Sequence, residues 1–307
     1  MSRSLSFTFT RADGVNLFVY CWLPAQQPRA VVQIAHGLAE HAGRYARLAQ
    51  ALNSAGYAVY ANDHRGHGHT AKSPDDLGFF AEQDGWRRCL DDLWHLNRHL
   101  AEAHPGTPII LLGHSMGSTL AEQFMGEHGD ALAGVVLSGA NGKPTSLASV
   151  GRGITRAERL RLGARGKSKL VQSLTFEAFN KKFAPARTAF DWLSRDPAEV
   201  DKYVADPLCG FPATVQLWVD LLDGWAAVST SSHRKHVPKT LPLYVIAGGR
   251  DPVSGGTRQL EPWLADYRAE GFMNVKHRFY PQARHELFNE TNRDEVTAEL
   301  IAWLNQI

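Results

Sequence analysis

The apolar run Ile109-Ile110-Leu111-Leu112 leads directly into Gly113-His114-Ser115-Met116-Gly117, and a helix-forming stretch follows as far as about His128. A buried strand that turns sharply into a helix exposes the side chain at the turn above the end of the sheet. Such a turn admits only small residues two positions before and after it, where Gly113 and Gly117 stand. The stretch therefore predicts a strand, a tight turn and a helix, with Ser115 as a nucleophile at the turn.

The segments on either side continue an alternation of strands and helices. Two runs of alternating apolar residues flank Asp13-Gly14, and a glycine there supplies the positive φ that a hairpin turn needs. Later β-rich runs are separated by helical spacing, which is typical of parallel strands joined by crossover helices. The predicted strands span 4–10, 16–22, 30–35, 58–62, 109–112, 134–137, 242–247 and 275–280, and the predicted helices span 44–55, 86–100, 116–128, 257–270 and 294–304. This order predicts an α/β fold with a mostly parallel, doubly wound sheet.

The alternation is interrupted once. From 139 to 239 no strand-like run occurs, and glycines and prolines divide the segment into short helical pieces. We therefore predict an inserted helical cap at 140–239, and a core formed by residues 1–139 and 240–307.

Composition narrows the class of protein. A chain of 307 residues with 44% hydrophobic residues can bury one large core, with or without an inserted lobe. The net charge of +2 is too small to indicate nucleic acid as a partner. The start, Met1-Ser2-Arg3-Ser4-Leu5, lacks the apolar core of a signal peptide, so a cytoplasmic location is expected.

A serine nucleophile needs a base and a carboxylate that orients the base. In a parallel α/β sheet these partners should lie in loops just after strands. Asp251 follows the predicted strand 242–247, and His285 follows the strand 275–280. The loop after the strand 134–137, Ser138-Gly139-Ala140-Asn141, offers no carboxylate, so Asp251 is the predicted acid. The chain order Ser, Asp, His also fits this architecture.

The oxyanion of the tetrahedral intermediate needs two backbone N–H donors. Met116, directly after the nucleophile, supplies one of them. The other should come from the turn after the strand 30–35, where His36-Gly37-Leu38 stands; Leu38 is our candidate, and an adjacent donor in that turn is the alternative. We also predict His36 and Gly37 as part of the substrate site.

The sequence predicts neither a metal nor a cofactor. His64, His67 and His69 lie close together in Asp63-His64-Arg65-Gly66-His67-Gly68-His69. Their spacing differs from H-E-x-x-H, and a Gly-rich loop after a strand explains them without a metal.

Three segments together resemble the monoacylglycerol lipase and lysophospholipase family: His36-Gly37-Leu38-Ala39-Glu40-His41-Ala42-Gly43-Arg44-Tyr45, Asp63-His64-Arg65-Gly66-His67-Gly68 and Gly113-His114-Ser115-Met116-Gly117. The first, with its HGxxEHxxRY pattern, is the specific one. The resemblance covers nearly the whole chain and implies an α/β-hydrolase fold and a Ser-Asp-His carboxylic-ester hydrolase acting on lipids with one acyl chain. It also implies that the cap is a lid and acyl-tunnel wall. The chain departs from the pattern at Ser118, where close relatives commonly have glycine.

Two features of the predicted cap bear on ligands. Apolar residues, among them Phe211, Trp218 and Leu222, are dense enough to line an acyl pocket or to dock the cap on the core. A basic run between Arg152 and Lys169 contains one acid, Glu158. It indicates a solvated face, a mobile loop or transient contact with an anionic membrane surface.

Two other functions fit the sequence less well. A serine aminopeptidase would recognise a free amine with acidic cap residues, for which Glu177, Asp191, Asp196, Glu199 and Asp201 are candidates. A catalytically silent binding module usually lacks a triad member, and here none is missing.

Overall fold

Eight strands form one sheet in the computed structural model, which describes residues 3–307. Met1 and Ser2, the first residues of the predicted core, lie outside this range. The strands are β1 (Arg3–Thr10), β2 (Asn16–Leu23), β3 (Ala30–Ala35), β4 (Tyr57–Asn62), β5 (Ile109–His114), β6 (Gly134–Ser138), β7 (Leu243–Gly248) and β8 (Val275–Tyr280). Their order across the sheet is β1-β2-β4-β3-β5-β6-β7-β8. β2 pairs antiparallel with β1 and β4, and the remaining neighbours are parallel, as the sequence predicts.

Helices cover both faces of the sheet, which makes it doubly wound. They are α1 (Ala46–Ser54), α2 (Gly85–Ala103), α3 (Met116–His128), α4 (Ser146–Leu162), α5 (Lys169–Leu174), α6 (Phe176–Lys181), α7 (Pro197–Ala205), α8 (Val215–Val228), α9 (Ser231–His236), α10 (Leu260–Ala269) and α11 (Arg293–Leu304). α1 and α11 share one apolar core with the sheet, and α2, α3 and α10 share the other. Helical spacing explains the packing of α2, because Leu90, Leu93, Leu96 and Leu100 fall on one face and are all fully buried.

The segment 140–239 contains α4 to α9 and, within the described residues, no strand. We call it the cap segment. Four of its helices begin where a side-chain oxygen accepts a backbone N–H of the first turn, at Ser168, Asp196, Thr214 and Thr230. The division into a core and a cap agrees with this element order and stays a prediction.

The helix predicted from 257 begins later than expected, at Leu260. Gly255, Gly256 and Thr257 have φ values of 64°, 66° and 77°. These values lie in the left-handed region, where a right-handed helix cannot continue. Turns therefore occupy 252–259, directly after β7 and its short loop.

Within residues 3–307, no helix combines the length and the apolar character that crossing a lipid bilayer requires.

Candidate active site

Ser115 lies at the turn between β5 and α3, at the middle of the sheet. Its φ of 53° and ψ of −116° are rare for a residue with a side chain, so the surrounding structure must hold the strain. One restraint is the hydrogen bond from the Ser115 N–H to the Ser138 carbonyl oxygen, at 2.9 Å, which ties the turn to the end of β6. The turn thus presents Ser115 above the carboxyl ends of the strands.

The two glycines of the turn are required by close backbone contacts. A Cβ at Gly113 would lie 2.8 Å from Ser118 Cα and closer to the Gly117 backbone. A Cβ at Gly117 would lie 2.6 Å from the His36 carbonyl oxygen and closer to that of Ala35. α3 can therefore approach β3 this closely only without a side chain at Gly117.

The predicted acid and base meet in the structure. His285 Nδ1 lies 2.8 Å from Asp251 Oδ2, and their side chains are 2% and 0% exposed. Asp251 Oδ1 accepts the Val253 N–H at 2.8 Å, which fixes the carboxylate in its own loop. The contact joins the loops after β7 and β8, as the position of each residue behind a strand predicts.

The surroundings of His285 favour its protonated form. Burial alone lowers the pKa of this imidazole, but the adjacent Asp251 carboxylate outweighs burial and raises the pKa above its usual value. His114, whose ring centroid lies 4.8 Å from that of His285, is in contrast kept neutral because burial lowers its pKa to about 4. His285 can therefore accept a proton, while His114 adds no positive charge beside it.

A cavity of about 510 Å³ lies over Ser115. Its walls come from the turn after β3, the start of α3, the 252–259 turns, and the cap helices α4, α5, α6 and α8. Most of the walls are apolar: Ala148, Val150, Ile154, Val171, Leu174, Phe176, Phe179, Trp192, Trp218, Leu221, Leu222, Trp225 and Val253. Trp218 and Leu222, two predicted substrate contacts, lie among them.

The other predicted substrate contacts lie outside the cavity lining. Phe211 packs against the ring of His67, with centroids 5.3 Å apart, because it precedes α8 and faces the core loop below the cap. His36 is fully buried; its Nδ1 hydrogen-bonds the Gly37 carbonyl oxygen at 2.8 Å, and its Nε2 accepts the His64 N–H at 3.0 Å. Phe211 and His36 thus lie behind the cavity lining, so the structure gives their predicted substrate contact no support, and that contact stays a prediction.

The turn after β3 carries the predicted oxyanion donor. Leu38 lines the same cavity as Ser115 and Met116. The Gly37 N–H is committed to Glu40 Oε1 at 2.6 Å, so Gly37 supports the turn and does not face the cavity. Within the described chain, the backbone N–H groups of Leu38 and Met116 have no hydrogen-bond acceptor. Both are therefore free to bind an oxyanion at Ser115.

The histidines of the 63–69 loop do not converge on one point. The ring of His64 lies 4.1 Å from that of His36 and 6.4 Å from that of His67, and His69 packs against Phe18. Burial lowers the pKa of His64 to about 3 and that of His67 to about 4. These side chains fill space behind the turn after β3.

Elsewhere in residues 3–307, His41, Asp206 and Cys209 place one potential metal-ligand atom each within 4.8 Å of one another. His41 Nε2 already hydrogen-bonds Asp206 Oδ2 at 2.9 Å. Burial raises the pKa of the Cys209 thiol, which disfavours the thiolate that a metal would need. We assign no metal to this group.

Known proteins are similar to this chain in sequence and in architecture. The model of a family described as serine aminopeptidase, S33, matches residues 26–292. The monoacylglycerol lipase of Mycolicibacterium smegmatis is 30% identical over 305 residues, which cover 97% of this chain and 95% of the relative. The chain belongs to the serine aminopeptidase, S33, family, and is a serine hydrolase. Human monoglyceride lipase is 29% identical, with coverage of 92% of this chain and 87% of the human protein. A thermostable carboxyl esterase from Bacillus coagulans, solved in complex with glycerol, is 28% identical with a TM-score of 0.89 and covers 100% of this chain and 98% of the esterase.

The resemblance to monoacylglycerol lipases and lysophospholipases is thus confirmed, as is the α/β-hydrolase fold. The sequence analysis missed several residues around the site. Trp192 of the cap segment lies with its ring centroid 5.1 Å from that of His285, and Glu286 pairs with Arg44 at 2.6 Å. The HGxxEHxxRY pattern contained a signal for Arg44, but no pattern singled out its partner or Trp192.

Proposed function

We propose that this serine hydrolase cleaves carboxylic esters with one acyl chain, such as monoacylglycerols and lysophospholipids, with Ser115, His285 and Asp251 as its triad. The observation that carries the proposal is the cavity of about 510 Å³, which joins Ser115 to mainly apolar walls. An acyl chain in such a cavity gains roughly 0.8 kcal/mol for each CH₂ group that it buries. Trp218 and Leu222 on α8 contribute to these walls.

The reaction proceeds in two acyl transfers. His285 accepts the Ser115 hydroxyl proton while Oγ attacks the ester carbonyl, and Asp251 holds the imidazole through Nδ1 at 2.8 Å. The N–H groups of Leu38 and Met116 stabilise the oxyanion. As the C–O bond to the alcohol breaks, His285 donates its proton to the leaving oxygen. Water then attacks the acyl-enzyme with His285 again as base, releasing the carboxylic acid and restoring Ser115.

The charges of the cavity disfavour the aminopeptidase alternative. Recognition of a free ammonium group requires acidic side chains, and within the described residues none lines the cavity. Its two ionisable lining residues, Lys182 and Arg258, are both cations. None of the five acids proposed for amine recognition lines the cavity, and four of them are engaged elsewhere. Glu199 pairs with Arg47 at 2.9 Å, Asp196 with Arg293 at 2.7 Å and Asp201 with Arg187 at 2.5 Å, and Asp191 accepts the Thr188 hydroxyl at 2.6 Å. The silent-module alternative is disfavoured because the acid and base remain hydrogen-bonded.

We also propose transient contact of the cap segment with a lipid surface, through exposed apolar side chains and not through the basic run. The basic run is partly paired with acids: Arg152 and Arg156 share Asp223, and Arg165 pairs with Asp76. Apolar side chains instead stand exposed around the cavity and on the cap surface: Val150, Leu160, Leu170 and Leu174. Contact with a lipid surface through these side chains would let a single-chain ester enter the cavity without crossing water.

Vesicle sedimentation tests this contact. We expect binding that changes little with salt or anionic lipid and falls in the Val150→Asp, Leu174→Asp double variant. The control is Leu5→Asp, which places the same charge at an exposed leucine on β1. Binding that depends strongly on anionic lipid would assign the contact to the basic run instead.

A fluorophosphonate probe and an ester panel test the function itself. The probe should label the wild type and Ser173→Ala but not Ser115→Ala, since Ser173 is a cap-segment serine that does not line the cavity. We expect monoacylglycerols and lysophospholipids to be hydrolysed and aminoacyl amides to remain intact. Labelling of Ser115→Ala, or faster cleavage of the amides, would overturn the proposal.

A further inference from the structure

The HGxxEHxxRY segment, residues 36–45, forms more than the predicted oxyanion turn. Glu40 is buried, and its Oε1 accepts the Gly37 N–H at 2.6 Å and the Tyr45 hydroxyl at 2.9 Å. Its Oε2 accepts Arg44 Nη1 at 2.7 Å. One carboxylate therefore fixes the turn that carries Leu38 and ties it to Arg44.

Arg44 extends this connection to the loop that carries the base. Its Nη1 and Nη2 donate to the two carboxylate oxygens of Glu286 at 2.6 and 2.7 Å. A bidentate pair of this kind restricts both distance and orientation. Glu286 directly follows His285, so Glu40, Arg44 and Glu286 join the oxyanion turn after β3 to the His285 loop after β8. We call these three residues the charged bridge.

The cap segment holds the same turn from its other side. The Ala39 carbonyl oxygen accepts the Tyr203 hydroxyl at 2.8 Å and the Gly210 N–H at 2.9 Å. The Arg44 guanidinium lies over the Tyr203 ring, 4.8 Å from its centroid. The turn is therefore clamped between the cap segment and the charged bridge.

Stability alone is a weak reason for such a bridge. Its side chains are 4%, 12% and 8% exposed, and taking charges out of water costs several kcal/mol for each ion. Well-packed apolar residues often stabilise a core at least as well as a buried ion pair. What the bridge supplies is a fixed separation between two loops far apart in the chain.

We propose that Glu40, Arg44 and Glu286 are positioning residues that act as one unit, setting the place of the Leu38 N–H relative to the His285 imidazole. This inference rests on the proposed function, because it takes Leu38 as an oxyanion donor and His285 as the base. None of the three touches the cavity over Ser115.

The bridge also acts on His285 through its net negative charge. Burial favours the neutral acid of Glu286, but Arg44 outweighs burial and lowers the pKa of Glu286 to about 2. Glu286 and Glu40 then add to Asp251 in raising the pKa of His285 against the effect of burial. The groups facing His285 are Asp251, Glu286, Glu40, neutral His114 and the uncharged Trp192 ring.

Kinetics of Glu40→Gln, Glu286→Gln and the double variant test the inference. We expect each single change to lower kcat and the rate of fluorophosphonate labelling about 10–100-fold, as a reacting group displaced by about 1 Å would, with KM changed less than about threefold. The double variant should react nearly as fast as the slower single variant, because groups that act as a unit are not additive. In each variant the acid limb of the pH profile of kcat/KM should move to lower pH, because a carboxylate that raises the pKa of His285 has been removed.

Two further variants separate positioning from stability and charge. Glu270→Gln is the matched control: it removes the charge of the partly buried Arg234–Glu270 pair of 2.7 Å outside the active site and should leave the pH profile unchanged. Arg44→Lys keeps the charge but loses the bidentate geometry, so it should lower kcat while the acid limb stays near that of the wild type. It also provides the test if a Gln variant does not fold, as judged by circular dichroism.

Single effects that multiply in the double variant, or a pH profile that does not move in the Gln variants, would overturn the inference. Failure of the proposed function looks different, because the wild type itself would then not be labelled at Ser115.

Discussion

Replacing Gly117 by alanine tests whether the close approach of α3 to β3 positions Ser115. The added Cβ would lie 2.6 Å from the His36 carbonyl oxygen and closer still to that of Ala35. Relief of the His36 contact alone requires a separation of about 0.8 Å, the difference between 2.6 Å and the 3.4 Å of ordinary contact, and the closer Ala35 contact requires more. Because the contact is with backbone, the start of α3 must move, and Ser115 with it. A shift of about 1 Å can lower a rate about 10²-fold, and overpacking costs roughly 1–3 kcal/mol of stability.

The assay is kcat/KM for a short-chain ester, beside the thermal unfolding midpoint. The matched control is Gly153→Ala in α4, where an added Cβ has no atom within 4 Å. That change should leave activity intact and stabilise the protein by roughly 0.4–1 kcal/mol. Gly117→Ala with activity within about threefold of the wild type would refute the reasoning, because the estimated displacement predicts a loss of about 10²-fold.

The remaining predictions concern the base, the pocket depth and the pocket charge. Asp251→Asn should lower kcat about 10⁴-fold. His285 must be neutral to act as base, so activity falls as pH drops through its raised pKa. Asp251→Asn removes the carboxylate that raises this pKa, so the acid limb of its pH–activity profile should move to lower pH. An acid limb at the wild-type pH would contradict this. Leu222→Trp should shorten the preferred acyl chain, because each CH₂ group excluded from the cavity costs the substrate roughly 0.8 kcal/mol of binding free energy. An unchanged preference for acyl-chain length would mean that the acyl chain binds away from Leu222. Lys182→Gln with Arg258→Gln should lower kcat/KM for an anionic ester relative to a neutral one by about twofold to fivefold at low salt; equal losses for both esters would exclude charge selection.

The order of strands and helices was predictable because buried parallel strands and their crossover helices have distinct sequence patterns. The start of α10 was predicted three residues too early, because no residue between Gly256 and Leu260 marks the end of the turns. Thr257 is an ordinary helix-compatible residue, yet its φ of 77° follows two glycines that also have positive φ. These turns form part of the cavity wall, where Arg258 and Gln259 lie. Their backbone path therefore depends on tertiary contacts that the local sequence does not contain.

The ion pairs of the cap segment could not be predicted from local sequence either. The run from Arg152 to Lys169 contains one acid, but ion pairing depends on residues brought together by folding. Asp223 on α8 accepts two arginines of α4, and Arg165 reaches Asp76, which is 89 positions away in the chain. The charged bridge escaped notice for the same reason, since Arg44 and Glu286 are 242 positions apart.

The apolar residues of α8 contained a signal that the sequence analysis did not use. Thr214 Oγ1 accepts the Leu217 N–H, so the helix begins at Val215, and a threonine before an apolar run is a recognisable start. Counting from there, Trp218, Leu221, Leu222 and Trp225 recur at the spacing of one helix face, and all four line the cavity. Leu217, beside that stripe, is fully buried, as is Val215, which shares the stripe at the first turn of the helix. Phe211 precedes Thr214 and so lies outside the helix. Helical periodicity, applied from Thr214 onward, would have grouped the four cavity-lining side chains on one face and set Leu217 and Phe211 apart from them.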